Sequence, residues 1–183
     1  RIYNAFKRRH PLATGQRLYA NLTHNSPLWG DGVGALLMIQ VLLKAGASYE
    51  LWPERAGSPI LMRGRNVVLF GREEYSETAR LVSRNQNFYI DYAPERHNLA
   101  VFNRKPKKGE PALYASDPPS YFRETYGLIT VMPSPGTPEQ NCRTIMISGL
   151  TSAGIQAAAE FFSSPRMLHE LQDRFRKEGY SRT

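Results

Sequence analysis

The sequence predicts an α/β fold with a three-layer, Rossmann-like architecture, in which helices cover both faces of a mostly parallel central sheet. Short apolar runs of strand length alternate with longer segments of helical periodicity, and glycines stand at several junctions between them. The chain has 183 residues, of which 41% are hydrophobic, and this suits one domain with its own core. A less regular middle segment, residues 88–115, is predicted to be an irregular or antiparallel insertion.

The chain is expected to comprise a short tail and one folded domain. Residues 1–16 mix basic side chains with Pro11 and Gly15 and show no period, which predicts a basic tail or linker. Residues 17–183 are then expected to form a single α/β domain. The sequence begins at Arg1 without a signal-like apolar segment, so we expect it to be part of a longer protein.

The first strands and the first helix are predicted from three features: alternation of polar and apolar residues, apolar residues around a helix, and turn-forming residues. Residues 17–22 alternate well enough for a strand, which a turn at residues 24–27 ends. Residues 32–45 carry apolar side chains around almost the whole helical circumference, which predicts a largely buried helix. Residues 48–52 predict a short second strand.

The clearest strand lies at residues 66–71, a continuous apolar run that ends at Gly71. Such a run is typical of a central parallel strand covered on both faces. A helix is predicted over residues 74–82 from the spacing of its apolar side chains. After the middle segment, apolar strands are expected at residues 126–132 and 144–148.

Two helices are predicted to complete the domain. Residues 153–162 are rich in alanine and amphipathic. Ser164 and Pro165 form a helix-start signature, because serine caps the free amides and proline already has a helical φ. This last helix is expected to run to about Lys177. It is predicted to bury the apolar side chains Met167, Leu168, Leu171 and Phe175.

Three glycine-containing junctions, at residues 23–34, 71–76 and 149–154, fit the crevice outside the carboxyl ends of the strands, where open α/β sheets bind ligands. Small residues, hydroxyls and amides at a helix start suit an anion or phosphate. The simpler alternative is that the same residues only make turns, caps and close contacts. The predicted ligand-binding residues are Asn25, Asp31, Gly71, Arg72, Gly149, Thr151, Ser152 and Gly154.

The second junction also carries two carboxylates, Glu74 and Glu77. A positioned glutamate can serve as nucleophile or base in N-glycosidic bond cleavage, as in many nucleoside-processing α/β enzymes. Acidic residues are also common in the first turn of any helix, where they need no catalytic role. An enzyme of the nucleoside or NAD glycohydrolase kind, or one similar to deoxyribosyltransferases, is therefore the alternative hypothesis.

Charge, cysteine content and hydropathy limit the classes of binding partner that we expect for this chain. The net charge is +8, and basic residues crowd both ends of the chain and residues 104–108. Aromatic residues do not interleave with these basic residues as a stacking platform would need, so we interpret the clusters as solvated and do not expect nucleic acid to bind this domain. A single cysteine, Cys142, and four scattered histidines predict no disulfide, metal site or cofactor. No apolar run approaches the ~20 residues that cross a bilayer, so we expect a cytoplasmic location without membrane contact by this segment.

The chain contains a combination of four short motifs. They are residues 20–27 with Gly30-Asp31-Gly32, the strand at 66–71, residues 103–110, and residues 147–154. In this combination the chain resembles an uncharacterised bacterial family of Rossmann-like α/β domains, over roughly residues 18–171. Members often carry the domain as the C-terminal region of longer proteins, sometimes behind a winged-helix or membrane-anchoring segment. The resemblance implies a sensor or ligand-binding module more than an enzyme. The loop at residues 72–77 departs from the family, which usually has a Ser- and Asn-Pro-containing loop there.

The sequence therefore predicts a non-catalytic signalling or regulatory module. Its ligand is expected to be small and anionic, such as a phosphorylated compound or a nucleotide, and to bind at the strand-end crevice. A partner protein, or a second copy of the chain, is the other occupant that the sequence leaves open.

Overall fold

A computed structural model describes residues 29–52, 62–73, 75–116, 124–134 and 141–180 of the chain. The predicted tail at residues 1–16 and the predicted first strand at residues 17–22 lie outside these ranges. In chain order the described elements are α1 (Trp29–Lys44), β1 (Val67–Phe70), α2 (Glu77–Ser83), β2 (Phe88–Ala93), β3 (Asn98–Asn103), β4 (Leu113–Tyr114), β5 (Gly127–Pro133), β6 (Arg143–Gly149), α3 (Ser152–Ser163) and α4 (Pro165–Lys177), with a 3-10 turn (Pro94–Arg96) between β2 and β3.

Two three-stranded sheets take the place of the single predicted sheet. Sheet A has the strand order β1-β6-β5, and β6 runs parallel to β1 but antiparallel to β5. Sheet B is antiparallel throughout, with the order β2-β3-β4. The predicted three-layer, mostly parallel Rossmann-like sheet is therefore wrong, since β1 and β6 are the one parallel pair among the described strands.

The lengths of the connections explain this departure. Residues 134–142 join β5 to β6, and a parallel neighbour requires a crossover of about a dozen residues or more, usually a helix. The two strands therefore pair antiparallel. The middle segment forms sheet B by itself, because short turns join its strands and no strand of sheet A pairs with them.

Strand β1 is an edge strand among the described residues, although its apolar run predicts a central one. All four of its residues are half-buried, whereas the central strand β6 contains Ile147, which is fully buried. An apolar run alone does not distinguish a central strand from an edge strand packed against helices. Residues 48–52 form no strand, so that prediction is wrong as well.

Helices cover both faces of sheet A. On one face, α1 and α3 pack over β6, and the shared core contains Met38, Ile147, Ile155 and Ala159. On the other face, α2 contributes Ala79 to a smaller cluster with the β5 and β6 methionines. Sheet B packs through a third cluster that joins its strands to the end of sheet A, with Ile90, Val101 and Leu150 buried.

Two helices are less buried than their sequences predict. Helix α1 buries Gly30, Gly34 and Met38, but Leu36 is 62% exposed. Helix α4 buries none of its residues, and Phe175 is 47% exposed, so the predicted burial of its apolar side chains is wrong. Each of these helices packs along one side only, which periodicity cannot specify. Among the described helices, none is both long and apolar enough to span a bilayer.

Candidate functional site

The parts of the three predicted junctions that the structure describes contact one another at the end of sheet A where β1 and β6 both end. The Gly71 amide donates to the Ile147 carbonyl at 3.2 Å, which continues the β1–β6 ladder past the last residue of β1. The Gly30 amide of α1 donates to Ser152 Oγ at 2.7 Å. These contacts join residues far apart in the chain and bring the first turns of α1 and α3 together.

The turn that follows β6 is closed by its own capping contacts. Thr151 is the N-cap of α3, and its Oγ1 accepts from the Gly154 amide at 3.2 Å. A Cβ atom on Gly154 would lie 2.5 Å from the Tyr126 carbonyl oxygen, and one on Gly149 would lie 2.5 Å from the Ile155 amide nitrogen. Glycine is therefore required for close packing at both positions. A ligand-binding role for Gly149, Thr151, Ser152 and Gly154 stays a prediction.

The other predicted site residues that the structure describes lie on different elements. Asp31 lies in the first turn of α1, inside the helix rather than at its cap. Asn25 and Glu74 lie outside the described residues. Glu77 is the exposed first residue of α2, whose N-cap Ser76 accepts from the Ala79 amide at 2.9 Å.

A cleft of about 260 Å³ opens beside this end, between the β1–α2 connection and sheet B. Its walls combine two arginines, two carboxylates, a tyrosine and two aliphatic side chains. The lining residues are Arg72, Glu73, Arg80, Ile90, Asp91, Tyr92 and Leu99. Of the residues predicted from the sequence, Arg72 alone lines this cleft.

Arg72 connects the cleft to sheet A. It is 9% exposed, and its Nη1 donates to the Leu150 carbonyl at 3.1 Å. The guanidinium also lies over the Tyr75 ring, 4.9 Å from its centre. Arg72 therefore places a largely buried positive charge in the wall of the cleft. Burying such a charge is costly unless the guanidinium is hydrogen-bonded.

Arg80 adds a second positive charge from helix α2. It is exposed, and its Nη2 lies 3.5 Å from the Glu73 carbonyl oxygen, at the limit of a hydrogen bond. Its guanidinium is therefore less constrained than that of Arg72. The carboxylates of Glu73 and Asp91 lie on the same cleft, so its charge is mixed.

A second, smaller cleft of about 170 Å³ lies on the packed side of sheet B. Phe88, Val101, Tyr114, Tyr126 and Gly127 line it, and none of these side chains is charged. It offers apolar contact but no group that orients a polar ligand. The larger cleft is therefore the stronger candidate site.

Sequence reasoning missed most of the lining residues because they come from sheet B. Ile90, Asp91 and Tyr92 lie on β2, and Leu99 lies on its partner β3. Their position beside Arg72 depends on how the two sheets pack, for which the sequence carries no local signal. Glu73 lies within the predicted junction at residues 71–76, and Arg80 follows it on α2, so the same argument could have included both.

The chain shows no match to known proteins from which a function could be inferred. No protein-family model, curated protein or solved structure matches the chain. In the described ranges, no group of three or more His, Cys, Asp or Glu side chains is placed to hold a metal ion.

Proposed function

We propose that the chain is a non-catalytic signalling or regulatory module that binds a small anionic ligand in the cleft between the β1–α2 connection and sheet B. The observation that carries this proposal is that the buried Arg72 and the exposed Arg80 line the same cleft. Guanidinium groups bind carboxylates and phosphates through parallel N–H bonds. A ligand with either group has a natural position between the two arginines.

Size and lining define the ligand further. The cleft volume of about 260 Å³ lies just below the roughly 300–1,000 Å³ of typical drug-sized sites. A ligand of the size of a sugar phosphate or an amino acid therefore fits better than a dinucleotide. Ile90 and Leu99 provide apolar contact, and the carboxylates of Glu73 and Asp91 favour donors, such as hydroxyls or an amine, on the rest of the ligand.

We favour binding over catalysis because two arginines line the same cleft and suit an anionic ligand. Among the described lining residues there is no histidine, cysteine, serine or threonine, and the groups that could act as nucleophile or general base are Glu73, Asp91 and Tyr92. Glu77, which the glycohydrolase alternative requires as a candidate, is not among the lining residues. Its exposed position in the first turn of α2 suits the helix dipole without any further role.

Thermal unfolding with a panel of sugar phosphates, mononucleotides and amino acids tests the proposal. A ligand at one hundred times its dissociation constant should stabilise the protein by about 2.7 kcal/mol. Calorimetric titration of the best ligand should then show about tenfold weaker binding for Arg80→Gln, because one of the two guanidinium groups is lost. The matched control is Arg84→Gln, which removes an exposed arginine outside the lining and should bind as the wild type does.

Two results would contradict this function. One is the absence of thermal stabilisation by every anionic member of the panel. The other is an equal effect of the Arg80 and Arg84 substitutions on the affinity, since a general charge effect does not depend on the cleft. Release of a free base from a nucleoside substrate would instead support the glycohydrolase alternative.

A further inference from the structure

The outer face of sheet B carries an aromatic pair that the sequence does not reveal. Tyr89 and Phe102 are direct cross-strand partners on β2 and β3. Their neighbours Ile90 and Val101 belong to the cluster that packs against sheet A. Because side chains alternate along a strand, Tyr89 and Phe102 point away from sheet A. Their rings stack with centres 5.3 Å apart and planes inclined by 20°.

A guanidinium group lies on this aromatic pair. The Arg104 guanidinium carbon is 4.0 Å from the centre of the Tyr89 ring. A cation at this distance over an aromatic face is held by the ring quadrupole. Arg104 is itself exposed, so its guanidinium presents a flat, charged surface whose position is fixed by Tyr89 and, through Tyr89, by Phe102.

The loop that follows β3 is held by a local hydrogen-bond network. Asn103 is 5% exposed, and its Oδ1 accepts from Asn87 Nδ2 at 2.8 Å and from the Lys105 amide at 3.2 Å. Its Nδ2 donates to Glu110 Oε2 at 3.2 Å, and the same oxygen accepts from the Lys107 amide at 2.9 Å. The Glu110 carboxylate therefore bonds to the loop itself, and the loop keeps a defined shape.

This network leaves the basic side chains of the loop directed to solvent. Residues 104–110 contain four cationic side chains and one carboxylate, that of Glu110. Lys107 bonds to the Tyr180 hydroxyl, which attaches the loop to the residues after α4. Arg104, Lys105 and Lys108 are exposed, and in the ranges that the structure describes none of them forms an ion pair. The surface thus combines a flat stacking group with positive charges that no carboxylate neutralises.

We infer that this outer face of sheet B binds single-stranded nucleic acid, with a base stacked on the Arg104 guanidinium and phosphates beside Lys105 and Lys108. Unpaired bases stack on aromatic rings and on arginine planes, and lysines follow the phosphate backbone. A simple anion needs only the charges and has no use for the stacked plane. Aromatic residues do not alternate with the basic cluster along the chain, which predicts no binding of nucleic acid, but strand pairing brings Tyr89 beside this cluster.

Fluorescence anisotropy with a labelled ten-nucleotide poly(dT) or poly(U) tests this inference on the full chain. We expect saturable binding that weakens with salt, with a slope of log K against log salt near −2 if about three cations contact phosphates. Arg104→Ala should weaken binding about tenfold. Arg104→Lys keeps the charge but not the planar group, so it should also weaken binding several-fold.

The matched control is Arg166→Ala, which removes a highly exposed arginine on α4 and should change the affinity by less than twofold. All the substituted residues are exposed, so a circular dichroism spectrum equal to that of the wild type is expected for each variant. Arg80 lies on α2 and not on this face of sheet B, so Arg80→Gln should leave the affinity for the oligonucleotide unchanged.

Three outcomes would overturn the inference. Binding to the corresponding duplex that equals binding to the single strand would show that no unpaired base is stacked. Wild-type affinity in Arg104→Lys would reduce the surface to a cluster of charges. Binding to vesicles with 30% phosphatidylserine, without binding to the oligonucleotide at the same salt, would assign the surface to a membrane.

Discussion

Sheets A and B have three strands each, but their structures are held together in different ways. Sheet A lies between helices, and its central strand packs through fully buried aliphatic side chains such as Ile147 against Ile155 of α3. Sheet B joins the core through the cluster of Ile90, Val101 and Leu150, and its far end is held by the polar network around Asn103. The comparison teaches that long-range packing stabilises sheet A, whereas local hydrogen bonds shape sheet B. The charged and aromatic side chains of the two proposed binding surfaces lie in sheet B or where the two sheets meet.

The largest expected effect concerns the tight contact between α1 and α3. A Cβ atom at Gly30 would fall on the Ser152 carbonyl group, so Gly30→Ala must separate the two helices. Backbone cannot move aside as a flexible side chain can, and we expect a loss of about 3 kcal/mol in the free energy of unfolding. Urea denaturation measures this loss.

Gly32→Ala in the same helix is the matched control. Nothing lies within 4 Å of a Cβ atom at Gly32. Alanine favours a helix more than glycine does, so this variant should gain roughly 0.5–1 kcal/mol. Equal stability of the two variants would mean that the α1–α3 contact is not the close packing described above.

The next effect concerns Arg72, which joins sheet A to the cleft beside sheet B. Arg72→Ala leaves the Leu150 carbonyl, in a residue that is 8% exposed, without this charged donor. Hydrogen bonds to charged groups contribute about 1.5–3 kcal/mol, so we expect a loss of about 2 kcal/mol in urea denaturation. Arg72→Lys keeps the charge without the planar fork and should lose less. A wild-type midpoint for Arg72→Ala would contradict the role of Arg72 in holding the two strand ends.

The smallest effect concerns the loop of sheet B and depends on pH. The Lys107 amide and, less strongly, Asn103 Nδ2 donate to the Glu110 carboxylate and hold its pKa below the ordinary value. The stabilisation of the loop is therefore present above pH ~4.3, the usual pKa of glutamate, and is lost as the pH falls through the lower pKa of the folded protein. Nuclear magnetic resonance should show the Lys107 amide shift titrating with this lowered pKa.

Glu110→Gln should abolish that titration and loosen the loop at neutral pH while sheet A stays intact. The control is Glu95→Gln, in the turn between β2 and β3, which should leave the Lys107 amide unchanged. A Lys107 amide that follows an ordinary glutamate pKa would show that the carboxylate does not hold the loop.

Local signals in the sequence predict many of the elements correctly. Ser164 caps α4 by accepting from the Met167 amide at 3.4 Å, and Pro165 begins the helix, as the sequence predicts. Apolar runs locate β1 and β6 to within one residue at each end, because a run of strand length is a local property. The partition of the strands into two sheets is not local, since it depends on which strands pair across long stretches of chain.

The same limit applies to the candidate site. Arg72 could be predicted, because a charged residue directly after the glycine that ends an apolar strand marks a junction in any open sheet. Tyr92 and Leu99 could not, because they reach the cleft only through the packing of sheet B. Apolar residues surround almost the whole of α1, so the sequence does not show which side of this helix is covered. Trp29, for example, is exposed in the structure.

The spacing of the contacts along the chain also sets an order of events during synthesis. The strands of sheet B pair within residues 88–114, so they can associate while the chain is still growing. The bond between Arg143 and Asn66 spans 77 positions, and that between Gly30 and Ser152 spans 122. Closing such long loops is slow and must wait for the later segment to emerge from the ribosome. Until then, the apolar surfaces of α1 and β1 lack their partners β6 and α3, and apolar surface exposed in this way favours aggregation.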